Sequence, residues 1–439
     1  MVSAEALRGG GGASSFLEVL RKMGSDFFKQ TPPIKIGSTY IHKKNNNYCD
    51  DCGVSSAYHI QTWLEELSEY WLSHIRIPRR LEHVATVILE TLFTSLGLMS
   101  FRDGFTSKDI QPRSMCFIEE LKKRGGLVQV LRGPAGYTSH FRASINEKII
   151  RFEGLPIAQF ASKYHSSLAD NKEKTKHHLK KGNFPVASGS SFGFWQKKKA
   201  MDYGTNIIGF PLVIKPRGGS VSRHVTTNIQ NTEQLNKAID VATAYSPFYI
   251  LEQFIPDAFV FRATVIDFDF VACVKQVAAN VIGDGTSTIR ALINKKNADP
   301  KRSASHENSS ILHTIVEDEK TTKLLSVKGY TVDSIPKQDE IVFLQIDPFL
   351  KLGGDLMELT PYIHPDNLRL FRNLARFFDM RVVGIDFLAH DITYPYTQQP
   401  CAVLELNSAP CIELHHYPSS GDPQNVAHAL VNLFFKYYL

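Results

Sequence analysis

Two apolar runs near the C-terminal end of this sequence carry acidic side chains where a buried strand should hold only hydrocarbon. Val382-Val-Gly-Ile-Asp386-Phe and Val403-Leu-Glu405-Leu-Asn407 both have the composition of interior strands. A carboxylate in such a place is costly unless it is paired or bound to a cation. Residues two apart on a strand share a face, so Glu405 and Asn407 present their oxygens together. Asp386 at the end of a neighbouring strand completes a hard, oxygen-rich set. Mg²⁺ suits such a set, being held by one or two carboxylates together with substrate phosphates. A salt-bridged structural group is the other reading of the same residues, and the residues alone leave both open.

The chain around these strands is 439 residues long, too long for one ordinary core and enough for two or three domains. Its hydrophobic share of 43% and charged share of 21% exclude chain-wide disorder and fibrous repeats. The greasiest stretch, Val84 to Phe101, is broken by Glu90, so no membrane span is expected. Arg8 and Gly9 to Gly12 lead into no apolar run, so no secretory leader is expected. Six cysteines are too sparse for a disulfide framework and point to a reducing, cytoplasmic setting. Cys49-Asp-Asp-Cys52 lies between His42 and His59 but has no second pair at finger-like spacing, so free thiols outweigh a zinc or redox role.

The net charge of +6 suits anionic small molecules as well as nucleic acid. Basic residues crowd Lys172–Lys181, Lys197–Lys199 and Lys295–Arg302, which are solvated helix faces unless something anionic meets them.

Residues 1–110 read as a helical extension without recognisable chemistry. Its candidate helices are Ser15–Phe28, an amphipathic Ser55–Ile75 and Leu81–Leu98. Residues 111–165 read as a small α/β unit, with a helix from Cys116 to Arg124 and strands Leu127–Leu131, Phe141–Ile145 and Lys148–Phe152. The last two are joined at Asn146-Glu147. Beyond it come a basic helix, Asp170–Lys181, and strands Phe210–Lys215 and Phe248–Glu252. A hairpin of Phe259–Asp267 and Phe270–Ala278 turns at Phe268-Asp269. Ser287 is placed to cap a helix reaching Lys296, and a further helix spans His364–Met380.

Lys215 ends its strand just before Arg217-Gly218-Gly219-Ser220, where glycines would let backbone N–H groups approach phosphate oxygens. This is no Walker A loop, because the Gly-x4-Gly-Lys spacing is absent, and a plain turn is the alternative. Arg262, flanked by Phe261 and Val265, requires an anionic partner, either a carboxylate or a phosphoryl group.

In order and spacing these pieces resemble an ATP-grasp ligase, specifically the ATP-grasp module of cyanophycin synthetases and of bifunctional glutathione synthetases. The most specific piece is Val281-Ile-Gly-Asp-Gly-Thr-Ser-Thr-Ile-Arg290, followed by Asn297-Ala-Asp-Pro-Lys-Arg302. The likeness covers about residues 165–439, and 112–164 more loosely.

The resemblance implies an α+β ATP-grasp fold, two α/β lobes clamping ATP. They follow a small pre-ATP-grasp α/β domain (111–165) and a helical N-terminal extension (1–110). The small lobe would be 166–252 and the large lobe 253–439. It implies ATP and Mg²⁺, or Mn²⁺ in its place. Lys172, Lys215, Gly218, Gly219 and Ser220 would lie at the phosphates and Glu252 in the hinge at adenine and ribose. Asp386, Glu405 and Asn407 would hold the metal, and Arg262 the transferring phosphoryl group.

The implied reaction joins a carboxylate and an amine through an acyl phosphate, with amino acids or short peptides as substrates. Neither nucleic acid nor membrane is an implied partner, and a homodimer is the usual assembly. A non-catalytic ATP-binding regulator with the same cleft is the alternative. Arg290, His364 and His415 are the candidates for substrate contacts. Cys411 after Pro410, Ser222-Arg223-His224 and Pro256-Asp257 depart from the family's pattern only in loops.

Overall fold

The computed structural model of the chain describes residues 49, 55–72, 88–157, 169, 171–218, 223–304, 310–346 and 348–438. The helix expected over Ser15–Phe28 lies outside these residues, as do Cys52, Gly219 and Ser220.

Helix α1 spans Ser56–Leu72. Its apolar stripe does not all turn inward as the spacing suggests, for Ile60, Leu64 and Trp71 are exposed. The buried residues are instead the polar Thr62 and Glu66. The helix is fixed by directional contacts at its edge: Trp63 Nε1 donates to Thr243 O (3.1 Å) and the Tyr70 ring packs on Phe248. Periodicity reports which residues share a face and cannot report that the face meets a polar loop.

A four-stranded antiparallel meander follows, β1 (Ser100–Arg102), β2 (Leu127–Gly133), β3 (Gly136–Ile145) and β4 (Lys148–Glu153). Its edge strand β1 comes from residues that the sequence reading assigns to the extension, because three residues are too few to show alternation. Asn146 and Glu147 close the β3–β4 hairpin at the expected place, both with positive φ as the tight turn requires. Helix α2 (Pro112–Lys123) covers this sheet through Phe117, Ile118 and Leu121. It starts earlier than expected because Pro112 can occupy the first turn, where no N–H is needed.

Helix α3 (Lys172–Lys181) is capped by Asn171, whose side chain accepts from Lys174 N. The second sheet, ordered β5 (Gly189–Gly193), β8 (Phe248–Gln253), β6 (Leu212–Pro216), β7 (Thr226–Ile229), is antiparallel. Helix α4 (Thr232–Thr243) closes its core with Leu235, Ala238, Ile239 and Ala242.

The third sheet is ordered β15 (Asp355–Glu358), β10 (Phe270–Val277), β9 (Phe259–Ile266), β16 (Val382–Ala389), β17 (Cys401–Asn407), again antiparallel. The β9–β10 turn takes in the expected Phe268-Asp269 and one residue before them, Asp267. Asp267 is held there by Arg381 (2.5 Å) and Lys436 (2.7 Å). Between β10 and β15 an insertion carries short strands β11 (Asn280–Ile282), β12 (Arg302–Ser303), β13 (Leu312–His313) and β14 (Ile341–Phe343) and helix α5 (Ile289–Asn297).

The cap of α5 is Thr288 and not Ser287, because Ser287 is taken by Asp284, to which both its N–H and its hydroxyl donate. Arg302 is buried against Asp355, with Lys296 2.6 Å from the same carboxylate. Two cations of the Lys295–Arg302 run are thus paired within the fold, while Lys295 and Lys301 stay exposed.

Helix α6 (Pro365–Phe377) packs on the third sheet through Leu370, Phe371 and Leu374. Helix α7 (Val426–Tyr438) lies between that sheet and the meander. Leu430, Val431 and Phe434 share one core with Phe117 of α2 and with Ile266 and Val382. None of the described helices is long and apolar enough to cross a membrane.

Candidate active site

Strand register makes the acidic site. Arg262 of β9 is directly opposite Asp386 of β16, and Asp386 is opposite Glu405 of β17, so three charges form a row across adjacent strands. Arg262 grips Asp386 with two nitrogens, Nε at 2.5 Å from Oδ1 and Nη2 donating to Oδ2 at 2.9 Å. Gly384, two residues before Asp386, is opposite Asn407. A Cβ there would come within 3.3 Å of Arg262 Nη1 and 3.1 Å of Pro410, so a side chain at 384 would crowd the guanidinium. The β16–β17 register shifts immediately after Asp386, a bulge that re-aims side chains at the strand end.

Burial pushes the Asp386 carboxyl up to about 7, with the Glu405 charge adding and Arg262 opposing. Burial also acts upward on Glu405, but Lys172 and Arg262 outweigh it and hold its pKa below the usual carboxylate value. Two carboxylates on adjacent strands with one set high and the other low share a proton unless a cation replaces it. Asn407 is two residues beyond Glu405, and its Nδ2 is buried without a hydrogen-bond partner among the described residues. Two carboxylates and an amide oxygen form an all-oxygen donor set, which fits Mg²⁺.

The opposite wall is basic. Lys172, the first residue of α3, is 3.8 Å from Glu405, and burial lowers its pKa. Lys176 and Lys215 both engage Glu252, at 2.5 and 2.8 Å. Burial would raise the Glu252 pKa, but the two lysines prevail and lower it. These four residues line a cleft with Val186, Ile250, Val403 and Leu404, at the edge between the second and third sheets. The structure therefore brings together Lys172, Lys215, Glu252, Arg262, Asp386, Glu405 and Asn407. The Glu252 side chain is occupied by these two lysines.

Gly218 begins the glycine loop under Glu66 of α1: a Cβ on Gly218 would stand 2.2 Å from Glu66 Oε1. Glu66 also accepts from Ser246 Oγ (2.7 Å) and pairs with Arg217 (3.4 Å). Lys197 lies outside the cleft, paired with Asp240. His364 caps α6, accepting from Asp366 N, and Arg290 pairs with Glu317 and Asp333. His415 is fully buried between Glu358 and Thr264. None of these three candidates for substrate contact lines the cleft.

Lys176, Arg113 and Glu66 escape the sequence reading. The i, i+4 spacing of Lys172 and Lys176 was signal enough for the first. Nothing local marks Arg113, which comes from α2 to donate to Ala409 O (3.2 Å) and leaves its Nε buried without a partner among the described residues.

No family model matches the chain. Its fold is the ATP-grasp fold, and its homologues include cyanophycin synthetases and bifunctional glutathione synthetases. It is 34% identical over 271 residues to the cyanophycin synthetase of a Synechocystis strain, covering 61% of this chain and 30% of that protein. It is 29% identical over 269 residues to the glutathione biosynthesis bifunctional protein of Streptococcus agalactiae, covering 60% of this chain and 35% of that protein. The crystal structure of a bifunctional glutathione synthetase from Pasteurella multocida superposes with a TM-score of 0.61 at 22% identity, over 75% of this chain and 44% of that one. The chain spans about a third of the length of the curated relatives it matches.

Proposed function

We propose that this chain is an ATP-dependent carboxylate–amine ligase acting on amino acids or short peptides, in the cytoplasm. The observation that carries this reading is the Arg262–Asp386–Glu405 row, with Glu405 3.8 Å from Lys172, beside a cleft lined by Lys172, Lys176, Lys215 and Glu252. An anionic polyphosphate would meet three lysines held apart by one ionised carboxylate, and a reacting carboxylate would meet Arg262.

Lys172 and Lys215 bind and neutralise the phosphates, and Glu252 orients Lys215 and Lys176. Asp386, Glu405 and Asn407 would hold Mg²⁺, which when bound supplies charge neutralisation at the phosphates. The substrate carboxylate oxygen attacks the γ-phosphorus and ADP leaves, giving an acyl phosphate. The amine then adds to the acyl carbon, phosphate departs and the amine nitrogen loses a proton. Arg262, clamped by Asp386, bridges the transferred group and the acyl oxygen, so the chain contributes mainly positioning and charge.

The test is phosphate release from Mg-ATP against pooled amino acids and dipeptides, with Glu405→Ala protein as the blank. Release that needs one pool and disappears in the variant is expected. ATP binding without release in any pool would overturn the reading in favour of a regulator.

A further inference from the structure

Cys49, His59 of α1 and His224, just before β7, lie together although 175 residues separate Cys49 from His224. Their donor atoms all lie within 4.8 Å of one another, and Cys49 Sγ is 3.5 Å from His224 Nε2. A tetrahedral zinc ion with its ordinary bond lengths sets a sulfur and a nitrogen about 3.6 Å apart.

Both imidazoles are oriented as metal ligands are. His224 Nδ1 donates to Val241 O (2.8 Å) and His59 Nδ1 to Ala244 O (3.0 Å). These carbonyls belong to the C-terminal end of α4, where helix carbonyls lack intrahelical donors. A neutral imidazole that donates from Nδ1 carries its lone pair on Nε2, the usual outer-sphere arrangement of zinc-binding histidines. His224 is fully buried with φ +52°, and Tyr245 packs against both rings.

We propose that Cys49, His59 and His224 bind a zinc ion that ties α1 to the chain just before β7. One thiolate and two imidazoles, with one position for a further donor, match the coordination number and softness of zinc. The site is separate from the oxygen donors of the cleft. It goes beyond the ligase reading, and its readout does not depend on turnover.

The test is zinc content of the full chain, produced without an affinity tag and dialysed free of loose metal. About one zinc per chain is expected in the parent and in Glu405→Ala, with at least a tenfold loss in Cys49→Ser and in His59→Asn. Cys49 and His59 are only partly buried, so these variants keep the test usable where His224→Ala fails to fold. In the stripped parent, added Co²⁺ is expected to give tetrahedral d–d bands and a thiolate-to-cobalt charge-transfer band, both lost in Cys49→Ser. Zinc unchanged in Cys49→Ser, zinc lost in Glu405→Ala, or a parent that takes up neither zinc nor tetrahedral cobalt would each overturn the proposal.

Discussion

Arg262 and Asp386 are direct cross-strand partners, joined by two nitrogen–oxygen contacts of 2.5 and 2.9 Å over a glycine that makes room for the guanidinium. The pairing fixes the orientation of a planar guanidinium, which a lysine's point charge cannot reproduce. Arg262→Lys should therefore lower turnover about 100-fold or more while the KM for ATP changes only a few-fold. Steady-state phosphate release reads both. Turnover within threefold of the parent would remove Arg262 from the reacting centre.

The Arg262–Asp386–Glu405 row was legible because a charge in an apolar strand has few explanations. Asp386 and Glu405 announce themselves against Val, Ile and Leu, and Lys215 does so at the end of Val-Ile-Lys-Pro. The hairpins and α6 were legible for the same reason, since their periodicity and turn residues are local. What stayed hidden is non-local. Arg113 reaches Ala409 across 296 residues, Glu66 reaches Ser246 across 180 and Cys49 reaches His224 across 175. No spacing encodes such meetings. The stripe Ile60, Leu64 and Trp71 misled because amphipathicity says that a helix has two faces and not which of them docks.

Glu252 is buried and ionised between Lys176 and Lys215. Glu252→Gln leaves two buried ammonium groups facing each other without their carboxylate. Breaking such a group costs about 3–5 kcal/mol, which denaturant unfolding should register. ATP phosphates would replace the lost charge, so Mg-ATP should stabilise the variant more than it stabilises the parent. Equal stabilisation of both proteins would place the phosphates elsewhere.

Glu66 couples α1 to the end of β6, holding Ser246 and Arg217 and lying over Gly218. Glu66→Ala should cost about 1–3 kcal/mol through the Ser246 hydroxyl and Arg217 guanidinium left behind. It should also raise the KM for ATP several-fold with kcat nearly unchanged, because the chain at Gly218 loosens while the reacting residues stay in place. A fall in kcat at constant KM would contradict that assignment.

Lys275 of β10 is buried, with its ammonium against the Phe259 ring. Burial pushes its pKa down to about 7, with Asp391 partly opposing. The unfolded chain keeps the lysine proton up to the ordinary lysine range, whereas the folded chain releases it near 7. Between those limits the unfolded state binds the extra proton, so stability rises with pH across the window and the penalty is complete below it. Lys275→Met removes the penalty. It should stabilise the protein at pH 6 by about 1–3 kcal/mol and by progressively less toward pH 10. Scanning calorimetry of both proteins at pH 6, 8 and 10 reads the difference. A destabilisation of the same size at every pH would mean that the lysine contributes packing and not a buried titration.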